Sequence, residues 1–311
     1  MEQPTNYEKN SLIYLIAKPL FLGIGFTRML ELAGATLWLS IIIGTIFGSF
    51  LNYIFTLLPD KNNKFFTTLY SFSLLAISIA LLTNMLHHVY LNETPIYLLM
   101  IPLLLLVYYV CTKKIETIYR STSIILMFNA ALALIAFGAI IPNLNFNNFS
   151  PFFASGPAKI LKAAIEFAMI STTPYILLPN YKKQYNYKAY LTSCFTLLLV
   201  AILIIGELGT EISLFYDYPE YMIFKRISIF DYLENVENFL FSIWFFAFVP
   251  LIALAGMNIK KNTNNFGLII ALLLAFGLSF VNHTFYNFLN LNLIYILVSL
   301  LFFSILSRIH H

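Results

Sequence analysis

Pro19-Leu20-Phe21-Leu22-Gly23-Ile24-Gly25-Phe26-Thr27-Arg28 is the stretch whose reading decides the fold. It lies inside the first long apolar run of the chain. Two glycines, one residue apart, interrupt a helix-forming segment. In water that pattern marks a turn. In a membrane it marks a helix disturbed at mid-depth, where lipid offers no partner to freed backbone groups. Such a disturbance survives where the backbone is buried in protein or lines a cavity, and inverted-repeat transporters bind substrate in cavities of this kind. The other reading is that the glycines let a neighbouring helix approach closely. This stretch alone leaves both open.

The rest of the chain requires a membrane. Of 311 residues, 60% are hydrophobic and only 10% are charged, against roughly 25% charged in soluble domains. A soluble fold of this composition would have no surface to show to water. The net charge of +4 is spread in small groups, which is not the footprint of a nucleic-acid partner. Cys111 and Cys194 are far apart and lack metal spacing, so free thiols are expected. The start of the chain is polar, and no small-residue cleavage site follows the first apolar run, so that run is read as a retained helix.

A spanning helix needs about 20 mainly apolar residues. That rule yields ten candidates: Ser11–Leu30, Gly34–Leu58, Phe65–Leu86, Pro95–Cys111, Thr122–Ile141, Ala158–Pro179, Ala189–Phe215, Tyr232–Gly256, Phe266–Val281 and Leu291–Ser307. The loops between them are short, so residues 1–311 form a single transmembrane domain. With the N-terminus in the cytoplasm, the inner side collects Lys9, Lys61, Lys64, Lys113, Lys114, Arg120, Lys182, Lys183, Lys188, Lys260, Lys261 and Arg308. The outer side collects Arg28, Lys159, Lys162, Lys225 and Arg226. Twelve against five obeys the positive-inside rule and predicts both termini cytoplasmic. Lys18 lies within the first span and is expected to snorkel to the interface.

Ten spans divide into five and five, about 11–141 and about 158–281, with the tenth helix at 291–307 closing the second half. The first span runs outward and the sixth inward, as an inverted repeat requires. The sixth span carries its own interruption at Ile170-Ser171-Thr172-Thr173-Pro174. Pro174 removes a backbone donor, and the hydroxyls before it either present themselves to a ligand or bond their own helix. Paired interruptions at matching places in two halves point to a midplane site. The expected fold is all-α, with broken first and sixth helices. The expected substrate-binding residues are Gly23, Ile24, Gly25, Phe26 and Thr27 with Ser171, Thr172 and Thr173.

Ionisable groups inside spans are costly and are functional candidates by default. Glu166 is the deepest, with Lys162 one turn before it. Glu207 and Glu211 stand one turn apart near an outer helix end, and Arg28 and Glu31 are placed to pair. The stretch Asp217–Asp231 alternates charge and aromatics and suggests a short helix lying on the membrane surface. Glu234 and Glu237 then begin the eighth span, Glu237 deeper. His87 and His88 are adjacent on a helix and point apart, so no metal is assigned. No nucleotide-binding or catalytic pattern is present, and neither a cofactor nor an enzymatic reaction is expected.

Four stretches resemble one family. They are Leu91-Asn92-Glu93-Thr94-Pro95-Ile96; Tyr109 to Arg120, containing Glu116 and Arg120; Asn143 to Ala164; and Tyr218 to Trp244, containing Asp231-Tyr232 and Val236-Glu237. In order and spacing they are similar to the spore germination permease family, the B subunits of spore germinant receptors, within the amino acid–polyamine–organocation superfamily. Lys114 stands where that family usually has glycine. Thr173-Pro174 stand where a carboxylate is frequent, and Asn235 where arginine is usual.

The resemblance implies a LeuT-like five-plus-five fold in the spore inner membrane. It implies a nutrient-germinant receptor subunit that binds an amino acid or similar small solute and works with A and C subunits among the membrane lipids. Glu116, Arg120, Glu166 and Glu237 are then candidate coupling or structural charges. A stand-alone ion-coupled amino-acid or amine permease is the alternative.

Overall fold

The computed structural model describes residues 4–57, 64–178, 186–225 and 236–280. Among them the regular structure is helical. Helix α1 (Asn6–Leu20) passes through one π-helical turn (Phe21–Gly25) into α2 (Phe26–Ala33). A 3₁₀ turn at Gly34–Thr36 leads to α3 (Leu37–Leu57). Then come α4 (Lys64–Met85), α5 (Ile96–Cys111), α6 (Ile115–Ile140), α7 (Pro157–Leu177), α8 (Tyr187–Phe215), the short α9 (Pro219–Lys225) and α10 (Val236–Ser279).

Five helical stretches are long and apolar enough to cross a membrane: Phe26–Ile54, Thr67–Tyr90, Ile115–Asn143, Pro157–Leu177 and Tyr187–Phe215. The protein is a multi-pass membrane protein. α6 shows how the sequence meets that solvent. Its buried positions include Ile118, Thr122, Asn129, Ala136 and Ile140, which share one face. Met127, Phe128 and Leu134 are largely exposed. A helix that turns an asparagine and a threonine inward and phenylalanine outward faces lipid, not water.

α1 is the hub. Leu12, Ile13, Leu15, Ile16 and Ala17 are all buried, and the helix packs against α6, α7, α8 and α10. α3 packs along α7, and its small residues set the distance. A Cβ added at Gly44 would collide with the Ala164 carbonyl and Phe167, and one at Gly48 with the Tyr190 hydroxyl. This is the glycine-every-fourth-residue seam that lets membrane helices approach closely.

Three backbone breaks divide the long elements. Gly34 (φ 55°) ends α2, Gly209 (φ 76°) breaks α8, and Asn264 (φ 62°) breaks α10. The last falls between the expected eighth and ninth spans. The Gly209 break separates Glu207 from Glu211, which therefore do not share the regular helical turn expected of them. The tenth expected span, 291–307, lies outside the described residues.

The expected break in the sixth helix is not seen: α7 is continuous through Pro174 and ends at Leu177. The reason is local. Pro174 sits in the final turns, so its missing N–H leaves only the Ile170 carbonyl without its helical donor. The first span is widened by its π turn, with helical dihedrals on both sides, and is not unwound.

Candidate functional site

Each group of expected binding residues occupies a different environment. Gly25 faces α7 so closely that an added Cβ would meet the Ile170 side chain. Phe21 stacks edge-on against Phe26 and Phe167, with centroids 5.9 and 5.7 Å away. Gly25 thus lets the first and sixth spans come into contact, and Phe26 is buried nearby. Thr27 is half-buried one residue on. The side chain of Ile24 lies outside the described residues.

The hydroxyls of the sixth span are buried and bonded within the protein. Ser171 Oγ donates to the Ala168 carbonyl and meets the Tyr190 hydroxyl at 3.0 Å. Thr172 Oγ1 donates to the Ala168 carbonyl at 2.9 Å. Thr173 Oγ1 accepts from the Tyr70 hydroxyl at 2.8 Å and donates to the Met169 carbonyl. These bonds join α4, α7 and α8 into one polar seam beneath the π turn.

A cavity borders α1. It has about 70 Å³ of free volume and is bounded by α1, α6, α8 and α9. Lys18 and Leu22 enter it from the first span, Asn129 and Phe137 from α6, Thr196 from α8 and Glu220 from α9. The π turn begins three residues after Lys18. Single π turns inside α-helices occur frequently at functional sites.

Lys18 does not snorkel to the interface. It is 9% exposed, and its Nζ donates to Asn129 Oδ1 at 3.3 Å. Asn129 Nδ2 in turn donates to the Ile125 carbonyl, which fixes the amide. The Tyr14 hydroxyl, on the same wall, donates to Thr196 Oγ1 at 2.9 Å.

α9 is not a surface helix. Pro219, Glu220, Tyr221 and Ile223 are buried, and the helix packs against α8 and α10. Glu220 is 4% exposed, and neither of its carboxylate oxygens has a hydrogen-bond partner. Burial pushes its pKa from the ordinary 4.5 up to about 8. Residues 226–231 of the expected surface helix lie outside the described residues.

Glu116, Arg120 and Glu166 do not line this cavity. Glu166 is buried on α7, without a hydrogen-bond partner on either oxygen. The charges that act on it are Arg28, Lys162 and Glu31. Arg28 and Glu31 form the expected ion pair, at 3.1 Å. Arg120 reaches Glu8 at 3.9 Å and ties the start of α6 to the start of α1, while Glu116 lies in the first turn of α6. Glu237 falls in the first turn of α10, but its side chain lies outside the described residues. Among the described residues no cluster of metal-ligating side chains occurs, and both cysteines are free and buried.

Sequence reasoning missed Asn129 and Glu220. The signal for Asn129 was a lone amide in an apolar span. For Glu220 it was the Pro219-Glu220 helix start, followed by Ile223 and Phe224 on the same face.

A family model described as spore germination protein matches residues 64–266 of the chain. The match spans the segments that supply Asn129, Thr196 and Glu220 and excludes the one that supplies Lys18. No curated protein matches the chain.

Proposed function

This chain belongs to the spore germination protein family, and we propose that it is a nutrient-germinant receptor subunit that binds an amino acid or similar small solute. In this reading it resides in the spore inner membrane with both termini cytoplasmic and signals together with A and C subunits. Its ten spans form two inverted five-helix halves, about 11–141 and about 158–281, with the tenth helix at 291–307.

The observation that carries the reading is the cavity beside the π turn of the first span. Buried ionisable groups in a membrane helix bundle mark solute or ion pathways, and Lys18 and Glu220 both line this cavity. The wider turn at Phe21–Gly25 gives the first span a place to bend. Solute binding there would favour one arrangement of the bundle over another, which is the only way a ligand shifts a conformational equilibrium. The stretch Gly23–Thr27 then acts as the hinge beside the solute, and Ser171–Thr173 hold the neighbouring helix in register.

Germination of spores that lack this chain tests the reading. Loss of the response to one nutrient solute, restored by the intact gene, is the expected result. An unchanged response to every amino acid and sugar would overturn it. Uptake of a labelled amino acid by the purified chain alone in liposomes would instead make the chain a stand-alone permease.

A further inference from the structure

The cavity holds two buried ionisable groups, one basic and one acidic, that do not meet. Lys18 and Glu220 both line it, and no ion pair joins them. The Lys18 ammonium has three donors, and the structure gives it one hydrogen bond, to Asn129. Glu220 has no hydrogen-bond partner on either oxygen. Two such groups taken out of water are expensive unless each finds a counter-charge. Most of the remaining wall is apolar, including Leu22, Ala133, Ala136, Phe137 and Leu203. On α6 that lining passes from Asn129, beside Lys18, through Ala133, Ala136 and Phe137 to Ile140.

This layout dictates a ligand. It needs an anion at the Lys18 end, a cation at the Glu220 end and an apolar chain between. An α-amino acid holds both charges on one carbon, whereas an ω-amino acid holds them at the two ends of an apolar chain. The size agrees: about 70 Å³ accommodates about five to seven water-sized groups at 10–15 Å³ each, close to the non-hydrogen atoms of a four- or five-carbon amino acid. We propose that the cavity binds an unbranched ω-amino acid lengthwise, its carboxylate on Lys18 and its ammonium on Glu220. Asn129 is a positioning residue that holds the lysine. The proposal rests on the reading that this chain binds a small solute, and it narrows the class of that solute.

Calorimetry on the full-length chain in detergent tests it. The probes are 5-aminopentanoate, its α-isomer 2-aminopentanoate, pentanoate and pentylamine. The ω-isomer is expected to bind about tenfold or more tightly than each of the others, the worth of one charge-assisted hydrogen bond. Lys18→Met is expected to remove the preference over pentylamine, and Glu220→Gln the preference over pentanoate. Should either variant fail to fold, the isomer comparison on the unaltered chain decides alone. Equal or tighter binding of 2-aminopentanoate, unaffected by both substitutions, would overturn the proposal while leaving the solute-binding reading intact. Binding of none of the four probes would overturn it as well. The response of spores to a wider solute panel then decides the solute-binding reading separately.

Discussion

Lys18 Nζ stands 3.3 Å from Asn129 Oδ1, and through this bond an ammonium is held between the first span and α6. Removing only the amide leaves a buried charge without its acceptor. Asn129→Leu is therefore expected to destabilise the protein by about 2 kcal/mol. Removing both partners deletes the charge along with its need. The double variant Lys18→Met/Asn129→Leu is expected to lie within about 1 kcal/mol of the unaltered protein. Thermal unfolding of the four proteins in one detergent measures the cycle. Additive losses would show that the two side chains are not coupled.

Five of the spans were legible because lipid imposes a coarse rule, a sufficient length of apolar residues. The fate of Lys18 was not legible, since burial against snorkelling is decided by a partner 111 positions away. The same holds for Glu220, whose burial depends on α9 packing against α8 and α10. Pro174 misled because a proline signals a lost bond without saying how near the helix end it lies. Gly25 was read as a cavity or a close contact, and the Ile170 side chain against it makes it a close contact. For the hydroxyls of Ser171, Thr172 and Thr173 the sequence allowed either a ligand or bonds to their own helix, and they bond the Ala168 and Met169 carbonyls.

Glu220 predicts a pH dependence. Its carboxyl is raised by burial from 4.5 to about 8, so the folded protein keeps a proton that the unfolded chain releases. That contribution to stability is fully present below about pH 4.5 and is lost as pH rises through about 8, at up to about 1.4 kcal/mol per pH unit. Lys18 and Tyr14 line the same cavity, and Tyr218, itself raised by burial, feels Glu220 and Asp217. The difference in stability between Glu220→Gln and the unaltered protein isolates the carboxyl. Across pH 5 to 8 the substituted protein is expected to lose less stability. Parallel profiles would contradict the assignment.

The same group predicts a proton count on binding. An ammonium seated on Glu220 favours the ionised carboxylate, so binding below pH 8 releases a proton and affinity rises with pH toward about 8. Binding enthalpies for 5-aminopentanoate measured in buffers of different ionisation enthalpy are expected to differ, and those for Glu220→Gln to coincide.

Gly48 and Gly138 make a controlled pair. A Cβ at Gly48 would collide with the Tyr190 hydroxyl and press on Ser171, whereas nothing lies within 4 Å of one at Gly138. Gly48→Ala is expected to cost about 1–3 kcal/mol as overpacking. Gly138→Ala is expected to be neutral or to gain up to about 1 kcal/mol of helix propensity. Melting temperatures in one detergent separate the two. Equal shifts would mean that α3, α7 and α8 do not pack as closely at Gly48 as described.

The break in α8 carries a last prediction. Gly209 takes φ 76° and ψ 170°, a region essentially restricted to glycine that costs other residues about 1–3 kcal/mol. The helix yields there, and the Gly206 carbonyl turns to partners outside α8. The Asn145 backbone N–H donates to it at 2.9 Å and Asn148 Nδ2 at 2.8 Å. The loop after α6 thus serves as the cap of a helix fifty-eight positions later. Asn148→Ala removes one of the two donors and is expected to cost about 1 kcal/mol, and Gly209→Ala about 1–3 kcal/mol through its backbone. The two act on one structure by different routes, so only Asn148→Ala is expected to be rescued by glutamine or another side chain that still donates. Faster amide exchange in residues 144–149 is expected for both variants. If Gly209→Ala left that loop as protected as before, the break in α8 and the loop that caps it would be independent.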